Sequence, residues 1–256
     1  MLISKTEIMK YLKEIPPVPE NVKQCLEYLK EGELKKAAME ADKDTVLKKQ
    51  IEMVVNSAAF ALPNKVEDTV QLFSMIGLEM AKNLVYSYLV SLLKPKEWKI
   101  FKIDFFDFQA AFMKIYEESM IEEFGENVYK EYSEIGAILP ATVCICDSLL
   151  GDKDIDLVLE SAPLEYGTLL KRFTGASLFA LAAKIGEMWG IEKEKTDILK
   201  KAECEKCEDK IPALIHFVFF YLSSKKQFLD LNSLIEFKPE CIEKIPKTYE
   251  RIINDS

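Results

Sequence analysis

Apolar residues in this chain recur at spacings of three and four, and two-residue alternation is nearly absent. That pattern predicts an almost wholly α-helical protein. Leu178, Leu181, Ala182, Ile185, Met188 and Trp189 lay one apolar stripe along a helix, which Gly190 then terminates. Phe73, Ile76, Met80, Leu84, Tyr88 and Leu92 give a second stripe. Gly77 predicts a break within it, into a short helix followed by a longer one. A third stripe is formed by Phe105, Phe108, Phe112, Ile115 and Tyr116. With 256 residues, 49% of them hydrophobic, the chain can bury a substantial core.

Breaks between the periodic segments suggest the organisation. Pro16, Pro17 and Pro19 form a rigid lead-in, Pro63 and Asn64 a turn, and Lys94 to Lys99 a charged break around Pro95. The expected division is therefore an N-terminal helical part, residues 1–100, and a C-terminal part, residues 101–256, joined in one compact unit. Gly151 to Asp156 and Glu203 to Lys210 read as charged loops.

A net charge of −9 and a pI near 5.0 disfavour nucleic acid or an anionic membrane as primary partner. Lys and Glu interrupt the N-terminus too early for a secretory signal. The most apolar stretches, such as Ala213 to Leu222, fall short of the roughly 18 apolar residues that span a bilayer. The expectation is a soluble cytoplasmic protein without membrane insertion. Six cysteines then read as reduced thiols. Cys204 and Cys207 make a CxxC, and Cys144 and Cys146 a CxC; either could belong to a zinc or redox site, but buried or incidental thiols are the plainer reading.

Catalytic motifs are scarce. The chain holds one histidine, His216, set in an apolar run. Histidine-dependent triads would all have to use it. No GxxxxGK[ST], GxGxxG or GxSxG occurs, and Glu117, Glu118, Glu122 and Glu123 fall on a polar helix face rather than in a Glu-x-x-His pattern. No catalytic residue, metal ligand or cofactor is assigned.

Two segments carry a family resemblance: IPPVPENV from Ile15, and KDTVLKKQIEMVVNSAAFALPNKVEDTVQLFSMIGLEMAKNLV from Lys43 to Val85. Together they strongly resemble the HDOD family, the HD-related output domain of bacterial signalling proteins. The matching residues are Pro16, Pro17, Pro19, Asn56, Ser57, Leu62, Pro63, Val66, Ile76, Gly77, Leu78 and Asn83. Most have structural readings without the family: the prolines fix φ, and Asn56 and Ser57 suit a helix end where backbone groups need partners.

The resemblance implies a multi-helix HD-like bundle, and it continues more faintly into the second half. HD-type phosphohydrolases carry an adjacent His-Asp pair where this chain has Leu139 and Pro140, and a first histidine ligand near Phe108. Gly175 lies in a segment that often holds another histidine, and Ala202 and Glu203 stand where a histidine pair is frequent. A non-catalytic bacterial signal-transduction module is therefore implied, binding another signalling protein or a small regulatory ligand. The alternative is a metal-dependent phosphohydrolase of nucleotides or cyclic dinucleotides, whose chemistry needs imidazoles and carboxylates around divalent metal.

Overall fold

The computed structural model describes residues 4–56, 65–99, 105–151, 171, 175, 177–203 and 209–216. Among them all regular secondary structure is helical, as the periodicity requires. Contacts group the chain into two compact units, Pro16–Leu92 and Met1–Ile15 with Leu93–Ser256.

Helix α1 (Lys5–Glu14) opens the chain. Ser4 and Glu7 exchange backbone-to-side-chain bonds at its start, so two amides that the helix itself leaves unpaired are satisfied. Ile15 ends it, and Pro16 and Pro17 run exposed into the first unit.

That unit contains α2 (Glu20–Lys30), α3 (Leu34–Ala41), α4 (Thr45–Val55) and α5 (Thr69–Ser91). Pro19 stands at the N-cap of α2, and its carbonyl accepts from the Lys23 amide at 2.9 Å. Val22, Cys25, Leu26 and Leu29 form the buried stripe of α2, which packs on α3 and α5. Asp44 caps α4, its Oδ1 accepting from the Val46 and Leu47 amides at 3.0 Å each.

Gly77 interrupts α5 with φ 76° and ψ 177°, a region open in practice only to glycine. The predicted short-then-long pair of helices is thus present. Two tethers show the bend. Thr69 Oγ1 donates to Asp42 Oδ1 and Tyr88 OH donates to Asp44 Oδ2, each at 2.8 Å. A straight helix would hold residues 69 and 88 about 28 Å apart. Here both meet carboxylates two residues apart in sequence.

The larger unit contains α6 (Phe105–Phe124), α7 (Glu126–Ile138), α8 (Ala141–Leu150), α9 (Leu178–Met188) and α10 (Lys193–Lys201), with residues 210–216 also helical. α7 packs on α6 and α10, and α9 on α8 and α10. Gly190, at φ 79°, ends α9: its amide donates to Glu187 O and the Ile191 amide to Gly186 O, the paired bonds of a Schellman turn. Leu181, Ala182, Ile185 and Trp189 are buried as their stripe predicts. Met188 is not; it is 46% exposed, because a position three residues beyond Ile185 already rotates to the stripe's edge. No described helix is long and apolar enough to cross a membrane.

Candidate functional site

Among the family-motif residues of the smaller unit, Asn56 and Val66 meet between the end of α4 and the start of α5. Asn56 is the C-cap of α4. Its Nδ2 donates to Glu52 O at 2.9 Å and Val66 O at 2.8 Å, while Oδ1 accepts from the Val66 amide at 2.8 Å. One side chain therefore closes the helix end and pins the chain ten residues later. Ser57, Leu62, Pro63 and Asn64 lie outside the described residues, so only the two posts of that segment are placed.

Asn83 is 1% exposed on the long arm of α5, and its Oδ1 accepts no hydrogen bond among the described residues. Gln50 Oε1, on α4, is in the same condition. The same unit holds a polar chain: Lys48 Nζ stands 2.7 Å from Asp42 Oδ1, which also accepts from Thr69. The Lys48 and Thr69 bonds hold the Asp42 carboxyl below the usual carboxylate range. Tyr88 is shifted the other way, pushed up by burial and then by its bond to Asp44.

In the larger unit the positions that the HD resemblance singles out carry little that could ligate. Leu139 and Ala202 are fully buried, and Pro140 leads into α8 with no amide proton to offer. The Leu139 carbonyl accepts from Thr142 Oγ1 at 2.6 Å and from the Thr142 amide at 3.0 Å, joining α7 to α8. Gly175 takes φ 70°. Glu203 pairs with Lys171 at 2.9 Å. The side chain of Phe108 lies outside the described residues. Imidazole and carboxylate donors for a divalent metal do not fit this set, and among the described residues no three His, Cys, Asp or Glu side chains converge.

His216 has a definite setting. Its Nδ1 lies 2.7 Å from Ala202 O at the end of α10; a carbonyl only accepts, so Nδ1 carries the proton. The ring stacks on Phe179 with centroids 5.9 Å apart. Cys144 is buried and forms no disulfide among the described residues, whereas Cys204, Cys207 and the Cys146 side chain lie outside them.

Two interactions that sequence reasoning did not find organise the α6–α7–α10 layer. Tyr116, fully buried on α6, donates through its hydroxyl to Tyr132 O at 3.0 Å, where α7 departs from helical geometry. Gly136 lets its ring approach: a Cβ there would overlap Tyr116 Cδ1. Glu134, 4% exposed, accepts two bonds from Lys195 of α10, at 2.9 and 3.0 Å. The only sequence signal was Glu134 lying one turn before Ile138, a carboxylate on an apolar face.

The HDOD domain family model matches residues 13–110. No curated protein matches. An HDOD domain protein of unknown function from Geobacter sulfurreducens shares the fold at a TM-score of 0.63 and 13% identity, over 96% of this chain and 97% of that one. A protein from Shewanella amazonensis SB2B, provisionally described as a phosphohydrolase, aligns at a TM-score of 0.56 and 12% identity, over 96% and 97%. At these identities the likeness is one of fold.

Proposed function

Given that the HDOD domain family model matches residues 13–110, we propose that this chain is a non-catalytic regulatory module of bacterial signal transduction. It works by binding another signalling protein, with a small regulatory ligand as the other candidate, in the cytoplasm and without a cofactor. The observation that carries this reading is the residue set at the positions where HD-type relatives hold metal. Leu139, Pro140, Gly175 and Ala202 have no side-chain donor to give, and Glu203 is engaged by Lys171. Hydrolysis of a phosphate ester at such a centre relies on metal to polarise the phosphoryl oxygen and to make hydroxide near neutral pH. The net charge of −9 speaks against nucleic acid and anionic lipid as partners.

The rival reading, a metal-dependent phosphohydrolase, draws on the fold shared with the Shewanella protein. Elemental mass spectrometry of protein purified without chelator or metal-affinity tag separates the two. The module reading expects a substoichiometric background and no hydrolysis of bis-p-nitrophenyl phosphate with added manganese. One or two equivalents of metal together with turnover would overturn it.

A further inference from the structure

Helix α4 buries Leu47, Gln50, Ile51 and Val55 and turns a different set of side chains outward. Val46 is 60% exposed, Met53 67%, and Lys49 between them is exposed too. At 100° per residue the three fall within an arc of roughly 60°, one stripe two turns long. α3 repeats the pattern on a smaller scale, with exposed Lys35 one turn before Met39, which is 57% exposed.

The lysines matter as much as the apolar groups. Lys23, Lys36, Lys43, Lys48 and Lys82 of this unit are paired with Glu27, Glu33, Glu40, Asp42 and Glu79. Lys35 and Lys49 have no ion-pair partner among the described residues. On a chain of net charge −9, the two cations left uncompensated on these helices stand beside uncovered apolar side chains.

We propose that the outer faces of α4 and α3 are a docking surface for an acidic amphipathic helix of another protein. Such a helix offers apolar side chains two turns apart to Val46 and Met53 and a carboxylate between them to Lys49. Methionine suits the task because its unbranched thioether adapts to varied apolar partners. Charge selects this occupant over two others. A second copy laid antiparallel on the same stripe sets Lys49 against Lys49. An anionic membrane attracts clusters of about four to eight basic residues, more than this face provides. The inference rests on the protein-binding reading above and names the surface and the partner chemistry.

The test uses the full chain, 15N-labelled, titrated to about 1 mM with a synthetic helical peptide carrying Leu at positions i and i+7 and Glu at i+3 and i+4. A Lys-for-Glu version of the peptide and phosphatidylserine vesicles are run beside it. Amide shifts confined to residues 34–55 are expected with the acidic peptide. In the K35E/K49E variant its affinity drops about tenfold and the lysine peptide binds instead. Absence of shifts, shifts elsewhere, unaltered binding by the variant, or binding to vesicles in preference to the peptide would each overturn the surface. Metal content and hydrolysis are measured on the same preparation, so failure of the docking surface is distinguishable from failure of the non-catalytic reading.

Discussion

Replacing Gly136 with alanine tests the packing of α6 against α7 by a change of sign. In the interior of an unencumbered helix, Gly→Ala stabilises by about 1 kcal/mol. Here the added Cβ would overlap Tyr116 Cδ1 and stand 2.9 and 3.0 Å from Cγ and Cε1 of a ring that is 1% exposed. Overpacking of that kind costs about 1–3 kcal/mol. A ring pushed aside also loses its 3.0 Å bond to Tyr132 O, leaving a buried hydroxyl unsatisfied at about 1–3 kcal/mol. The net expectation is destabilisation by about 3 kcal/mol.

The control is Tyr116→Ala. It destabilises on its own account, but in that background the obstacle is gone and Gly136→Ala should stabilise by about 1 kcal/mol, a coupling of about 4 kcal/mol across the cycle. Urea unfolding followed by tryptophan fluorescence reads the correct unit, because Trp98 and Trp189 both belong to it. A Gly136→Ala protein more stable than wild type would refute the close approach. Destabilisation of equal size in both backgrounds would refute its assignment to Tyr116.

Three further outcomes are expected. Asn56→Ala should cost about 2 kcal/mol from three part-exposed hydrogen bonds, and Asn56→Asp more at pH 7, since a carboxylate cannot donate to Glu52 O and Val66 O; equal urea midpoints for all three proteins would contradict the clasp. Asp42 has a folded pKa depressed below its unfolded value, so its contribution is present above about pH 4 and lost as pH falls through the lower folded pKa. The gap in melting temperature between wild type and Asp42→Asn should therefore close on acidification, and a gap that widens instead would reverse the sign. Burial, with Glu40 nearby, pushes the Cys25 thiol up from 9.0 to about 12. Iodoacetamide at pH 8 should label it about a thousandfold more slowly in the native protein than in urea, as peptide mass spectrometry would show; comparable rates would place Cys25 outside the core.

The helices and their punctuation were legible because they depend on neighbours in sequence. Gly77 interrupts an apolar stripe, Gly190 follows one, and each takes a φ that other residues avoid, so local chemistry alone marks them. Asn56 was readable as a helix-end residue for the same reason. Its grip on Val66 was not, since that contact depends on where the chain returns. The bonds from Tyr88 to Asp44 and from Lys195 to Glu134 span 44 and 61 residues, and no periodicity reports such a meeting. Met188 shows the converse limit. An apolar residue in register can still face outward when it sits at the margin of its stripe.

Glu134 shows why counting carboxylates in this sequence misdirects a search for chemistry. Most acidic residues lie on solvated faces, and the buried one that looks most like a ligand already has its cation. Taking a carboxylate out of water demands a compensating charge and full hydrogen bonding. The Lys195 ammonium supplies the charge and a donor to each oxygen, from the neighbouring helix α10. A divalent metal at Glu134 would have to displace that ammonium, whose side chain is 13% exposed and whose second carboxylate partner, Glu192, stands farther off at 3.7 Å. Glu134 thus serves as an ion-pair partner that ties α7 to α10. In the smaller unit Lys35 and Lys49 stand exposed on α3 and α4, where a partner can reach them.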